Sequence, residues 1–400
     1  MKVITDKKRI DEILNRGVVV EVLPSKEEFA QKLMSGERLK IYIGADPTSN
    51  SLHLSHAKNY MLLEELRQLG HEVTILFGDF TAQIGDPTGK NTARPMLTEA
   101  EIKKNVKGWL SQIQPIMDFK AKVNPPKIVY NSKWLSKLNL KDVINLAANF
   151  TVQQMIERDM FEKRWNGNVP IYLHEFIYPL MQGYDSVALN IDVEMCGTDQ
   201  TFNALAGRTL LKRIKNKDKF VLIVNLMANP KTGALMSKSQ GTGVFLSSPP
   251  NEMYGAIMAQ PDEMLGVLFV NCTRIPLGEK ENLMALGPRG AKGKIAFEIV
   301  KKFYGEKKAA EAEQAFISQF SKGELPKDIP LVLIASGNYS ISAITSVVAG
   351  ISKSESKRLI QQGGIMLDKK VVKEDITVSV DANEHLLQVG KRRFFRFKKK

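Results

Sequence analysis

Cysteine and histidine are scarce in this 400-residue chain: two cysteines, Cys196 and Cys272, and five histidines. Two thiols so far apart form no metal motif, and so few histidines leave no structural zinc pattern, so reduced thiols and no structural metal are expected. Long apolar runs are missing too, and none has the length needed to span a bilayer. The charged start enters an amphipathic stretch, Arg9-Ile10-Asp11-Glu12-Ile13-Leu14, where a secretory leader would be apolar. These deficits point to a cytoplasmic enzyme with no membrane partner. Internal repeats and low-complexity tracts are also lacking.

Basic charge, by contrast, is abundant. Lys and Arg number 57 against 43 Asp and Glu, a formal net charge of +14. From Ala335 to Lys400 there are 13 cations against 6 anions, so this segment alone carries +7. An excess of this kind suits an anionic partner, nucleic acid being the commonest large one, although charge by itself leaves solvated lysines as the plainer explanation. The tail from Lys391 to Lys400 mixes cations with Phe394, Phe395 and Phe397. That mixture fits phosphate contact with base stacking, and equally a final strand with Phe395 and Phe397 on one face.

At this length two or three domains are expected. Up to about Asn229, strand-like and helix-like patterns alternate, as in a parallel sheet with helices on both faces. A polar, largely helical stretch from about 97 to 166 reads as an insertion between two halves of that sheet. The run 230–249 is a Gly-rich mobile loop. Helical patterns fill 250–325, broken at Pro261 and at Gly287-Pro288-Arg289-Gly290. A linker from Ser321 to Pro326 follows, and a small basic α+β module occupies 335–400.

Two short runs about 185 residues apart carry the chemistry: His53-Leu54-Ser55-His56 and Met236-Ser237-Lys238-Ser239. Each is weak alone, because histidine pairs on helices are usually packed and Ser-Lys-Ser arises by chance in a basic chain. Their surroundings are more telling. Leu39 to Ile43 alternates as a strand does, Gly44 to Ser49 has turn and capping residues, and helical spacing runs from His53 to Leu69 before a second strand at Val73–Phe77. The histidines thus stand at the mouth of a β-α-β crossover helix, where free N–H groups face phosphate.

The two runs resemble the ATP-handling signatures of class I aminoacyl-tRNA synthetases. The stretch from Tyr42 to Arg94, the run Tyr178-Pro179-Leu180-Met181-Gln182-Gly183-Tyr184-Asp185 and Gly197-Thr198-Asp199-Gln200 resemble the bacterial tyrosyl-tRNA synthetases. The segment Ser352–Gly364 resembles the RNA-binding fold of small-subunit ribosomal protein four. The resemblance implies a Rossmann-like parallel-sheet catalytic domain over 1–229, a helical anticodon-binding domain over 250–325 and a C-terminal RNA-binding domain over 335–400. It implies L-tyrosine, ATP and tRNA(Tyr) as substrates, Mg2+ accompanying ATP, and a homodimer. By the same resemblance Tyr42 and Asp185 face the phenol hydroxyl, while Asp86, Tyr178 and Gln182 hold the ammonium, with Asn131 and Trp134 behind that end, and Gln200 belongs to the tyrosine site. Gly44, Asp46, Thr48, His53, His56, Gly197 and Asp199 would bind the nucleotide together with Gln200, and Lys90, Arg94 and Lys238 would supply cations. Tyr178, Gln182 and Asp185 lie at i, i+4 and i+7, so one helix face can line the slot.

Three positions depart from the family pattern: Ser55 and Cys196 replace glycines, and Leu235 replaces a lysine. They keep a second reading open, an RNA-binding paralogue with weakened or lost aminoacylation. A third, a tryptophan enzyme, would have no need of Asp185 opposite a phenol.

Overall fold

Local pattern and tertiary structure agree at the crossover. In the computed structural model, which describes residues 2–86, 97–156, 159–236, 242–321, 329–390 and 393–400, strand β2 (Lys40–Ala45; β1, Val19–Leu23, precedes it) leads through a turn into helix α1 (Leu54–Gln68) and then β3 (Glu72–Phe77). Ile41, Tyr42 and Ile43 are buried together, as are Val73, Ile75, Leu76 and Phe77. A parallel strand covered on both faces reads as such a run.

Strands β4 (Lys127–Tyr130), β5 (Val193–Gly197) and β6 (Phe220–Val224) complete a six-stranded sheet in the order β1-β6-β5-β2-β3-β4. All its pairings are parallel except that of the edge strand β1 with β6. The chain winds outward from β2 to β4 on one side and from β5 to β6 on the other. The order therefore reverses between β2 and β5, and their carboxyl ends frame a crevice.

The expected helical insertion over 97–166 needs correction. Helix α2 (Glu99–Ile113) opens the span, and β4 then pairs in register with β3, so part of it belongs to the sheet. Four residues after Pro125-Pro126 are too few to display an alternating pattern. A second correction concerns Gly287–Gly290, which begins a helix (Gly287–Tyr304). Pro288 lies in its first turn, where its missing N–H costs nothing. Asn229 to Leu235 is an ordered turn, closed by Asn229 N–H donating to Ala234 O at 2.8 Å and by pairing of Ala228 with Leu235. Residues 237–241 lie outside the described residues.

The chain divides into two units, Met1–Ala309 and Ala310–Lys400. Within the second, β7 (Leu331–Ile334) pairs parallel with β9 (Arg393–Lys399), which pairs antiparallel with β8 (His385–Val389). Phe397 is fully buried and Phe395 packs beside it, so the tail is a strand with these two rings on the core face. The helix Lys353–Gln361 is capped by Ser352, whose Oγ accepts from Glu355 N–H at 3.1 Å.

Candidate active site

The crevice is built from loops that the sheet leaves at its carboxyl edge. Asp46 follows β2 directly. Its Oδ1 accepts from Thr81 Oγ at 2.7 Å and its Oδ2 from the Tyr178 hydroxyl at 2.8 Å. Gly78, which follows β3, makes this approach feasible, since a Cβ there would stand 2.0 Å from Asp46 Oδ1. Tyr178 lies on helix α3 (Leu173–Leu189), and burial, then the nearby Asp46 and Asp86 carboxylates, hold its hydroxyl well above the usual phenol range. The structure thus joins Asp46, expected at the nucleotide, to Tyr178, expected at the ammonium.

Asp185, further along α3, is 2% exposed. Trp134 Nε1 donates to its Oδ1 at 2.7 Å and Asn131 Nδ2 to its Oδ2 at 3.4 Å. Burial outweighs both donors and raises the carboxyl well above its ordinary value, with Glu194 and Asp46 adding to the rise. The sequence expectation placed Asn131 and Trp134 behind the ammonium end; the structure sets them on Asp185 instead. Asp79 arranges this, accepting Ser132 N–H at 2.9 Å and Ser132 Oγ at 2.6 Å at the start of the short helix that carries Trp134. Tyr42, fully buried in β2, reaches Ser186 Oγ at 3.2 Å. Burial, then the Glu194 and Asp185 carboxylates, raise its hydroxyl.

A third group forms a chain. Gln200 Nε2 donates to Asp86 Oδ2 at 2.7 Å, and Asn203 Nδ2 bridges the side-chain carbonyls of Gln182 at 2.9 Å and Gln200 at 2.8 Å. Gln200 and Asn203 lie at the start of helix α4 (Thr201–Lys215), just beyond β5, Gly197 and Asp199. Cys196 is buried among Ala204, Val221 and Ile223, so its side chain faces the core and leaves the loop at Gly197 clear.

His53 caps α1, and its backbone N–H donates to His56 Nδ1 at 3.2 Å. The rings stand 4.0 Å apart. Burial pushes His53 down to about 4; burial, then His53 and Lys58, push His56 down to about 3. Both are neutral at physiological pH, and the His56 proton belongs on Nε2. Gly44 lies near the end of β2, and the loop that follows, which carries Thr48, is held by α2. Asn105 Nδ2 donates to Pro47 O at 2.8 Å, Trp109 Nε1 to Ser49 O, and Gln112 accepts Leu52 N–H at 2.9 Å. Leu54 N–H donates to Val244 O at 3.0 Å and Leu246 N–H to Leu52 O at 2.9 Å, tying the histidine run to the segment that follows the second signature. Lys90, Arg94 and Lys238 lie outside the described residues.

Histidines with lowered pKa values favour the folded state while neutral. Their contribution is complete above about 6.5, the value in the unfolded chain, and is lost as pH falls towards 4 and 3. The thermal midpoint of His56→Asn should therefore fall less between pH 6.5 and 4 than that of the wild type. Parallel melting curves over that window would show that His56 is not held neutral by burial.

Sequence reasoning missed Thr81, Gly78, Asn203 and the α2 clamp. Asn203 stands three residues beyond Gln200, and Asn105, Trp109 and Gln112 share one helical face, so spacing alone offered a signal.

A cluster of polar side chains beyond the carboxyl ends of a doubly wound sheet, beside the N-terminus of a helix that starts at a histidine pair, is the kind of arrangement that nucleotide-using enzymes have. The family model of tRNA synthetases class I (W and Y) matches residues 34–321. A tyrosine–tRNA ligase of Thermotoga maritima is 39% identical over 391 residues, and one of Photobacterium profundum 42% over 388, each match covering 96% of both chains. A C-terminally truncated mitochondrial tyrosyl-tRNA synthetase of Aspergillus nidulans has a similar fold, with TM-score 0.67 at 22% identity over 78% of this chain and 94% of that one. The chain belongs to the class I tRNA synthetases, and among them to the tyrosine–tRNA ligases.

Proposed function

We propose that the chain activates L-tyrosine with ATP and transfers the tyrosyl group to the 3′-terminal adenosine of tRNA(Tyr), using the crevice between β2 and β5. The observation that carries this reading is a slot with different polar ends. At one end Asp185 and Tyr42 are buried beside each other's elements, suited to a phenol hydroxyl that needs an acceptor. At the other, Asp86, Tyr178 and Gln182 offer acceptors to an ammonium, and the Asp86–Gln200 bond supports this assignment. Phenylalanine would leave the first end unpaired.

The tyrosine carboxylate then attacks the α-phosphate in line, and pyrophosphate leaves. The nucleophile is already an anion, so no general base is needed and catalysis is positioning plus charge stabilisation. His53 and His56, neutral and at the α1 N-terminus, offer N–H donors to the phosphates. Gly44 and Thr48 shape the loop beneath the nucleotide, and Gly197 and Asp199 face the ribose. Lys90, Arg94 and Lys238 neutralise the growing charge. Among the described residues no group of three or more His, Cys, Asp or Glu could hold a metal. Mg2+ arriving with ATP would be held chiefly by phosphate oxygens and water.

Residues 230–249 serve as the loop that carries Lys238 to ATP, 250–325 as the anticodon-binding domain and 335–400 as an RNA-binding domain. Its excess of basic side chains supports that role. Removing residues after Leu325 should leave adenylate formation nearly intact, weaken tRNA charging and flatten its salt dependence, because phosphate contacts are lost. Equal charging by truncated and full-length proteins would refute the RNA-binding role. A cytoplasmic homodimer completes the proposal. Large apolar side chains left exposed between 140 and 173, Leu140, Ile144, Val152, Trp165, Tyr172 and Leu173, support a second copy as the partner that covers them. No helix among the described residues is long and apolar enough to cross a membrane. A monomeric mass in sedimentation would remove the dimer.

Tyrosine-dependent pyrophosphate–ATP exchange, run against tryptophan and phenylalanine, tests the central reading. Exchange supported by tryptophan and not by tyrosine would overturn it.

A further inference from the structure

Behind the slot lies an ion pair that the chemistry above does not use. Lys219, just before β6, and Glu194, in β5, have side chains 0% and 2% exposed, and Lys219 Nζ donates to Glu194 Oε2. Ser186 Oγ accepts from Lys219 Nζ at 2.7 Å and donates to Glu194 Oε2 at 3.1 Å. Parallel pairing sets Glu194 directly beside Tyr42. Glycines make room for the pair. A Cβ on Gly207 of α4 would stand 2.7 Å from Lys219 Nζ and 2.8 Å from Ser186 Oγ. One on Gly183 of α3 would stand 2.9 Å from Leu210 Cδ1 and 3.2 Å from Gly207 N.

Stability is a poor explanation for such a pair, because desolvating two charges offsets most of their attraction and apolar replacements commonly serve as well. Its remaining acceptor points elsewhere. Glu194 Oε1 accepts from Gln182 Nε2 at 3.1 Å. A lysine has only donors and an ionised glutamate only acceptors, so Gln182 must turn its NH2 to Glu194 and its carbonyl the other way. That carbonyl accepts from Asn203, whose NH2 also reaches the Gln200 carbonyl, and Gln200 in turn donates to Asp86. Asn203 Oδ1 is buried without a partner among the described residues, because the NH2 side of that amide is committed to both glutamines.

We propose that the Lys219–Glu194 pair is a positioning group that fixes the Gln182 carbonyl toward the ammonium end of the slot, and thereby sets affinity for the amino group of the bound amino acid. The inference rests on the slot assignment proposed above and adds the group that orients it. Glu194 and Lys219 touch no substrate in this scheme; they act through Gln182.

Glu194→Gln gives a sharp test. Lys219 and Ser186 claim the new carbonyl, the new NH2 faces Gln182, and the Gln182 amide must invert, presenting NH2 to a cation. Two competitors of tyrosine separate this from general damage: tyramine, which has the phenol and the ammonium, and 3-(4-hydroxyphenyl)propionate, which has the phenol and no amine. The inhibition constant for tyramine should rise by about tenfold, the size of effect expected when a hydrogen bond to a charged group is lost. That for the propionate should stay within about twofold, as should KM for ATP. Lys219 without its counter-charge is destabilising, so the neutral double variant Glu194→Gln/Lys219→Met is measured beside it. It leaves the amide unoriented and should lose tyramine selectively, by less than the single variant. Equal weakening of both competitors, or of neither, in a folded variant overturns the proposal. Gln182→Ala distinguishes the two levels. If that variant binds tyramine as well as the wild type does, the slot assignment itself is wrong. If it loses tyramine while the Glu194 variants keep it, the positioning role alone is refuted.

Discussion

Asp185→Asn is expected to lower kcat/KM for tyrosine by about 2–4 kcal/mol in transition-state terms while making the protein more stable at neutral pH. The first effect follows from the phenol hydroxyl meeting an NH2 in place of a carboxyl oxygen that Trp134 and Asn131 already orient. KM for ATP should hardly move, since the phosphates lie at the other side of the crevice in this scheme. The second follows from the raised carboxyl value. An acid whose folded value exceeds its unfolded value, here 3.8, holds its proton more tightly in the folded state. Ionising it costs stability as pH rises from 3.8 through the folded value, and below 3.8 both states are protonated and the cost vanishes. The asparagine carries no such cost. Its advantage in thermal midpoint should grow as pH rises above 3.8 and shrink towards zero in acid. The gain in stability with loss of activity is the trade expected of a functional buried charge. A variant that activates tyrosine normally, or melts lower than wild type at neutral pH, would contradict the assignment.

Lys238→Ala should slow adenylate formation by about 2.7–4 kcal/mol, the cost of removing one preorganised charge stabiliser. Leu235 stands where the signature it resembles has a lysine, so in the proposed site fewer cations meet the pyrophosphate and each should matter more. Lys231, the nearest replacement in sequence, has its Nζ 3.5 Å from Glu263 Oε1 and is therefore engaged elsewhere. Leu235 itself is 43% exposed, so a lysine can be accommodated there. Leu235→Lys is then expected to speed the activation step. Stopped-flow measurement of adenylate formation in wild type and both variants reads this directly. An unchanged rate for Leu235→Lys would mean that another group already fills the place. No activation in the wild type, and none in Leu235→Lys combined with Ser55→Gly, would favour the RNA-binding paralogue.

Much of the site was legible because it is local. Tyr178, Gln182 and Asp185 announce a shared face through helical spacing, and a β-α-β unit announces itself through a change of period over one crossover. Other parts gave a weaker local signal or a misleading one. Lys127–Tyr130 is too short to show strand alternation, and Gly287-Pro288 reads as a break although proline is welcome in a first helical turn. Cys196 departs from the family's glycine, and the pleat of β5 turns its side chain into the core.

Taken alone, then, the sequence determined the crossover unit, the alternation of strands and helices around it, and the residue types proposed to serve tyrosine, ATP and RNA. Backbone conformation and hydrophobic period are set by neighbours a few residues apart, so these features are written locally. Tertiary structure alone decided which polar group meets which. Strand order places Glu194 beside Tyr42, close approach of two helices at Gly183 and Gly207 encloses Lys219, and Asn131 and Trp134 meet Asp185. A side chain's donors and acceptors are known from its type, but its partner depends on how distant segments pack, and that is fixed only when the sheet is assembled.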